Sequence, residues 1–542
     1  MEERSSQICS KVKARLCVST GRTCDGYTEK ADIVQQKRPY KIISPRGDKS
    51  TSYHQCATTS ADDAGRWHSQ RHELVWPNLG SLMVLPMTGS AHAEAMYFFE
   101  CVSIKHLNEY RPCESWRRNL MLFAQTVPSV RHAAIALAMM HCKYLDRSTI
   151  HPTHQLSLSK GQSVDKAPLV HYNRAIQLLL ELDNDDSAET TAVTLLVCYL
   201  FTCFDHLAGD DAQAFKHLSG GLALSQNTEN ATFNNHTYDY TRTSGVQGII
   251  REATYQIRRL DMQAGMFLVD WSPAEIQNTS MTPLGLFDSI FQSLDEAADH
   301  LQILLTRVMR LRSTERQLSP TGTIPPLPSS LEGTTLNDLE CWSIRFERIL
   351  QQYNASRSIS ETYPLVSLLR LQHTVACIIL SGGGTGDETS YDKFLPQFKQ
   401  CIAFATEVAA AHEQYSGSTK LTFTPEIGLL PVLYIIGAKC RDPIVRRATL
   451  SILRRQFIRE ASWDSVSTAM VIARVIEIEE GVNEREAMIQ CMEQVPAWRR
   501  IEALSFLKVM GGESAGSLDI TYTFCAQDAI YTESLVIYCR NR

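Results

Sequence analysis

The sequence predicts an all-α protein: a large multi-helix domain, a small C-terminal β-hairpin, and a short Cys-containing amino-terminal arm that is largely disordered. Three observations carry that expectation. From about residue 92 onward, apolar side chains recur at helical spacing. Proline, serine, aspartate and glycine fall where helices start and stop. Period-two alternation, with Ile, Thr, Tyr and Val, is confined to 518–524 and 531–538 near the end.

Taken in order, residues 1–28 form a small basic unit with cysteines, and 29–90 a polar linker without periodicity. No sustained heptads mark a coiled coil there. Residues 91–542 form the helical domain. Its first helix is expected over 93–109 and its second over 114–125. Pro128 opens the third, because the N–H that proline lacks is unpaired in a first turn anyway. Helices follow at 169–182, then from Ser187, a good N-cap, through the apolar run 193–204, and at 212–224. Loop signals recur at 226–245, 316–336, 382–390 and 415–426. Between and beyond them lie helices at roughly 246–269, 284–312, 337–354, 362–380, 391–412, 427–440, 443–458, 462–480, 484–494 and 497–509. The two alternating segments then close the chain as a hairpin. No fixed-period repeat appears, so a helical solenoid is not expected.

Composition narrows the function. The 542 residues are 44% hydrophobic and 21% charged, an ordinary globular balance, with a net charge of −6. That bulk charge does not suit a nucleic-acid-coating protein. The sign is uneven, however. Residues 1–49 carry eleven basic against six acidic side chains, a basic arm on an acidic body, which by charge alone fits a solvated disordered tail or, as the alternative, a polyanion contact. Sixteen cysteines are scattered, many in apolar helical stretches, and the first residues have no apolar signal core. They are expected to be reduced, in the cytosol or nucleus. The longest apolar run spans about a dozen residues, short of the ~20 a bilayer crossing needs, so no membrane partner is expected.

The segment Cys17-Val18-Ser19-Thr20-Gly21-Arg22-Thr23-Cys24-Asp25-Gly26-Tyr27 resembles the closing part of the fungal Zn2Cys6 binuclear cluster. In that family six thiolates, soft ligands suited to tetrahedral zinc, hold two zinc ions through shared thiolates and make a short apolar-poor segment fold. By that resemblance Cys17 matches the fifth ligand and Cys24 the sixth. Ala14 stands at the fourth, and Cys9 is out of register. Lys11, Lys13, Arg15 and Arg22 would be the DNA-contacting cations, set against phosphates and base edges. The alternative is one zinc on Cys9, Cys17 and Cys24 with a remote fourth donor, Cys56 or His54. The gaps point to a degenerate cluster or a wrongly assembled amino terminus.

The body is similar to the regulatory domain of the same fungal transcription factors. The segments are Trp116 and the following residues to 145, His171-Tyr172-Asn173-Arg174-Ala175-Ile176, Phe204 to Asp210, and Ala214-Phe215-Lys216-His217-Leu218-Ser219-Gly220-Gly221-Leu222. The resemblance implies a nuclear regulator of transcription that binds DNA through zinc if the cluster is whole. It implies a helical domain taking input from a small molecule, a homodimer mate or a partner regulator, and no catalysis. The alternative is a non-DNA-binding co-regulator derived from such a factor.

Other chemistry is weakly signalled. The glycine run at 381–387 lacks the Lys-Ser/Thr ending of a phosphate loop and follows no strand. His132, His141, His171, His206 and His217 sit among apolar helical residues and are expected to be structural, with His206 and His217 bonded at helix ends or tertiary contacts. The acidic run at 183–186 lacks the glycine and bidentate glutamate of a calcium loop. No nucleophile elbow or Cys/His pair indicates an enzyme.

Overall fold

A computed structural model describes residues 75–76, 80–81, 89–146, 166–182, 187–233, 246–267, 290–317, 329–355, 363–382, 387–416, 421–481, 489–509, 517–524 and 530–536. The chain divides into two compact units, 1–83 and 84–542. In the first, β1 (Val75–Trp76) and β2 (Gly80–Ser81) pair as a short antiparallel ribbon within the segment read as an unstructured linker. The expectation of a disordered arm otherwise lies outside the described residues.

The second unit is built from helices, as the periodicity predicts. Helix α1 (Ser90–Phe98) runs on through a π-turn, Phe99–Ser103, and a last turn, Ile104–His106. Then come α2 (Glu114–Thr126) and α3 (Pro128–Asp146), bent by 110° at Val127, where proline ends one helix and starts the next. Helices α4 (Ala167–Glu181), α5 (Ala188–Ala208), α6 (Asp211–Phe233) and α7 (Val246–Phe267) follow. Ser187 caps α5 by accepting the Thr190 N–H at 3.2 Å, as its position predicts. The helix stops at Gly209, whose φ of 87° lies in the left-handed region. Helix α6 extends to Phe233, into a stretch expected to be loop.

A second group comprises α8 (Leu294–Gln317), α9 (Ser329–Ala355), α10 (Tyr363–Gly382), α11 (Leu395–Ser416), α12 (Leu430–Lys439), α13 (Pro443–Arg455) and α14 (Ser465–Glu480). Helix α3 lies against α4 and α5, α5 against α6 and α7, and α7 against α8, so burial runs continuously from one group to the next. Aromatic rings fill the turns of that core. Trp342 stacks on Phe346 at 4.6 Å and donates to the Ala297 carbonyl at 2.8 Å.

Helix α5, with 21 residues, and Pro364–Gly382 are long and apolar enough by length and composition to cross a bilayer, more than the dozen-residue run suggested. Of their apolar windows, 78% and 67% are buried inside the protein, so its own interior already accounts for that apolarity.

The strands depart furthest from expectation. Strand β3 (Leu421–Thr424) pairs in parallel with β4 (Phe457–Glu460), which pairs antiparallel with β5 (Trp463–Asp464). The sequence predicts loop at 421–424 and helix ends around 457–464, whereas ladder pairing makes all three segments strands. At the end of the chain β6 (Ile501–Val509), β7 (Ser517–Phe524) and β8 (Ile530–Val536) form an antiparallel sheet. The hairpin is therefore a three-stranded sheet, and 497–509, read as helix, supplies its first strand after a 3-10 turn. Ladder pairing such as Phe506↔Ile520, and burial of Ile501, Ile520 and Tyr522 with Val471 and Val475 of α14, outweigh the helix-favouring Glu, Ala, Leu and Lys. Of the expected helix 484–494, residues 484–488 lie outside the described residues, and Met492–Gln494 is a 3-10 turn.

Candidate functional site

The proposed metal ligands Cys9, Cys17 and Cys24, and the proposed DNA contacts Lys11, Lys13, Arg15 and Arg22, all lie outside the described residues. Two in-register thiolates and a third out of register do not fill a six-thiolate, two-zinc cluster. No group of three or more His, Cys, Asp or Glu among the described residues is arranged to hold a metal.

The body segments that carried the resemblance converge. Trp116, fully buried on α2, meets Tyr199 of α5 edge-on at 5.1 Å. Tyr172 of α4 stacks on Phe201 at 3.9 Å. Its hydroxyl lies 2.7 Å from His217 Nε2 and donates to Asp205 at 3.2 Å, with His217 in turn 3.4 Å from Asp205. His206 pairs with Asp211 at 2.9 Å where α5 turns into α6. The histidines thus make helix-end and tertiary contacts, as read from their surroundings. His132 and His171 bring their Nδ1 atoms within 2.8 Å of each other, so at least one ring is neutral. Burial, with His132 and His92 alongside, lowers His171 to about 4.

Two polar clusters in the interior were not legible in the sequence. The first is a seam between the α1–α2 connection and the second group of helices. Glu460 at the end of β4 is fully buried and accepts the N–H groups of Gly428, Leu429 and Leu430 at 2.8, 2.9 and 3.1 Å. It therefore caps α12, and it also accepts from the Tyr110 hydroxyl. Burial raises its carboxyl above the ordinary range despite these donors. Beside it, Glu426 accepts the Tyr110 N–H at 2.9 Å and pairs with the buried Arg259 of α7, which burial lowers to about 10. His412 of α11 pairs with Glu109, and its ring meets Tyr110 edge-on at 4.9 Å. Tyr110 is thus held at its hydroxyl, ring and backbone by three elements.

The second cluster anchors the C-terminal sheet. Arg441, Arg446 and Glu479 are all wholly buried. Glu479 accepts from both guanidiniums and from the Ile501 N–H at 2.7 Å, where β6 begins. Burial alone would raise its carboxyl, but the two arginines outweigh it and hold it at about 2. Arg441 also bonds Glu388 at 2.8 Å, and Arg500 holds Asp392 with two bonds of 2.8 Å. Each charge has a partner, as a buried charge requires. These clusters fasten elements together. Neither places a nucleophile beside a base at an open surface.

Between α8, α10 and α12 lies a small cleft with a cavity volume of about 30 Å³. Its walls include Val308, Met309, Ala376 and Val432, with Gln372 as the polar side chain and Gly428 at the edge of the seam.

The body is mainly helical, with two small sheets, buried ion networks that fasten its elements, and one apolar cleft. In sequence the chain is similar to the aspercryptin biosynthesis cluster-specific transcription regulator of Emericella nidulans, with 22% identity, covering 83% of this chain and 81% of the relative. No family profile matches the chain, and no solved structure matches it.

Proposed function

We propose that this chain is a nuclear regulator of transcription whose helical body is the regulatory part. The observation that carries this is the length of the likeness: it covers 83% of the chain, far more than an amino-terminal arm, and reaches a protein named as a transcription regulator. The helical architecture supports it, because the aligned length is dominated by helices whose quoted segments meet in one core. In this reading the basic arm approaches DNA through Lys11, Lys13, Arg15 and Arg22 by phosphate contact. The body receives input from a ligand, a second copy or a partner regulator. Tagging the chain, mapping it on chromatin and profiling transcripts after its disruption tests the reading. Discrete sites of occupancy next to genes whose transcripts change support it; absence from chromatin together with an unchanged transcript profile overturns it.

A second reading is favoured by the donor set at the amino terminus. Ala14 stands where the family has a cysteine, and only Cys17 and Cys24 are in register. A chain that keeps the body but reads no DNA itself would act as a co-regulator on an intact partner. Gel-shift titration with zinc measured alongside separates the two. Bound zinc and sequence preference at moderate salt favour direct reading; neither, with a stoichiometric protein partner recovered, favours the co-regulator.

A further inference from the structure

The buried carboxylates of the seam and of the C-terminal cluster are held in two different ways. Glu479 faces Arg441 and Arg446, Glu426 faces Arg259, and Glu388 faces Lys439 and Arg441. Glu460 takes three backbone N–H groups and the Tyr110 hydroxyl. Those partners keep their charge or their proton throughout the neutral range. Glu109 is held differently. Its side chain is only 5% exposed, and its partner is the His412 imidazole, which is 2% exposed. Neither Glu109 oxygen has another hydrogen-bond donor among the described residues. Histidine in that place makes the contact titratable near neutrality, where arginine would not. The surrounding groups set the direction. Burial opposes charge on the ring, but Glu109 and, from β4, Glu460 outweigh it, so His412 lies above 6.5. The Tyr110 ring meets it edge-on, and burial raises Tyr110 well above its ordinary value, so the phenol stays neutral. At the end of α1, burial, His412 and Lys105 lower His106 against the pull of Glu109. Behind it, burial and His106 lower His141 further. Both of those rings are therefore neutral at pH 7. Glu109 and Tyr110 lie in the α1–α2 connection, where residues 107–113 form neither helix nor strand.

We propose that Glu109 and His412 form a proton-controlled latch, which fastens the α1–α2 connection to α11 while the imidazole is charged and releases it as the proton leaves. With the proton in place, the two side chains make a buried ion pair between the two groups of helices. Without it, Glu109 is an anion out of water, and Glu426 and Glu460 are bound to the neighbouring Tyr110. A buried charge with no counter-charge is among the costliest states in a protein interior. Lifting the connection lets water reach Glu109 and requires no helix to unwind. The same movement takes Tyr110 away from Glu460 and Gly428, so release reaches the start of α12. The sign is fixed by the raised value of His412: the latch is closed below pH 6.5 and opens as pH rises through the folded value. Its use as a control on a regulatory body rests on the function proposed above, whereas the latch itself does not.

Hydrogen exchange of the full chain without DNA tests the latch, read by mass spectrometry across neutral to alkaline pH with labelling times corrected for base-catalysed exchange. Peptides covering 104–113 include the amides of Leu107, Asn108 and Tyr110, all bonded in the closed state. They are expected to be protected at acid to neutral pH and to lose protection as pH rises. Their open fraction grows by up to about tenfold for each pH unit between 6.5 and the folded value of His412, then levels off. Peptides covering 438–446, where Arg441 and Arg446 hold Glu479 by fixed charge, stay level. Glu109→Gln makes the pair neutral, so exchange at 104–113 becomes flat with pH. His412→Gln leaves Glu109 without its cation, so the same peptides exchange at low pH as the parent chain does at high pH. The proposal is overturned if 104–113 stay level in the parent chain, if Glu109→Gln keeps the rise, if His412→Gln is protected like the parent at low pH, or if 438–446 rise in step. Circular dichroism and the thermal midpoint show which variants are folded, and Glu109→Gln decides if His412→Gln is not. No readout involves DNA, so failure of the latch and failure of the functional reading are distinguishable.

Discussion

At the scale of single residues, the buried charges decide the chemistry. Glu479 sits at about 2 against an ordinary 4.5, because two guanidiniums overcome its burial. Its folded value is depressed, so its contribution is whole above pH 4.5 and disappears as pH falls toward 2. At about 1.36 kcal/mol per pH unit, that is on the order of 3 kcal/mol. Glu479→Gln leaves Arg441 and Arg446 buried without their anion and is expected to cost about 3–5 kcal/mol at pH 7, read from urea midpoints. The acid limb of stability between pH 4.5 and 2 should flatten in the same variant, and an unchanged limb would contradict the assignment. His412 behaves with the opposite sign. Burial alone would lower it, but Glu109 more than compensates and its value is raised above 6.5. Its contribution is present below pH 6.5 and is lost as pH rises through the folded value. His412→Gln should remove that alkaline loss, measured by thermal midpoints across neutral to alkaline pH. At Gly428 the constraint is steric: a Cβ would stand 2.8 Å from the Tyr110 ring. Gly428→Ala is expected to cost about 1–3 kcal/mol, and Tyr110→Leu in the same chain to recover part of it. Simple additivity of the two would show that they do not touch.

At the scale of elements, helices were legible where the periodicity was long and the ends were marked. Pro128 and Ser187 sit at helix starts in both sequence and structure, and Gly209 ends α5 in the left-handed region. Gly209→Ala should therefore destabilise by about 1 kcal/mol, checked by chemical denaturation, because a Cβ is strained at a φ of 87°. The strands were legible only where the chain alternates. Strand β7 does so plainly. Strand β6 reads Ile-Glu-Ala-Leu-Ser-Phe-Leu-Lys-Val, a good helical composition, and becomes a strand because β7 and α14 are there to receive it. A parallel partner such as β4 for β3 comes from more than thirty residues away and leaves no local trace. The same distance hid the polar seam. Tyr110, Glu426 and Glu460 each look like solvent-facing residues near a turn, and their burial follows from contacts 316 and 350 residues apart in sequence.

At the scale of the whole molecule, the division at residue 83 separates two kinds of question. The second unit contains all of the apolar clusters, ion networks and cleft described above, so its stability should not depend on the first. A chain beginning at residue 84 is expected to fold with the helical circular dichroism and the cooperative unfolding midpoint of the parent body. What it should lose is any zinc and any salt-dependent nucleic-acid binding, because the basic excess of the chain lies in residues 1–49. That set of outcomes places recognition of nucleic acid in the arm. Salt-dependent DNA binding that survives the deletion would move the contact onto the helical body, where the surface arginines on α13 and α4 would be the first to mutate. Collapse of the midpoint would instead show that the arm helps hold the body together and is more than a tether.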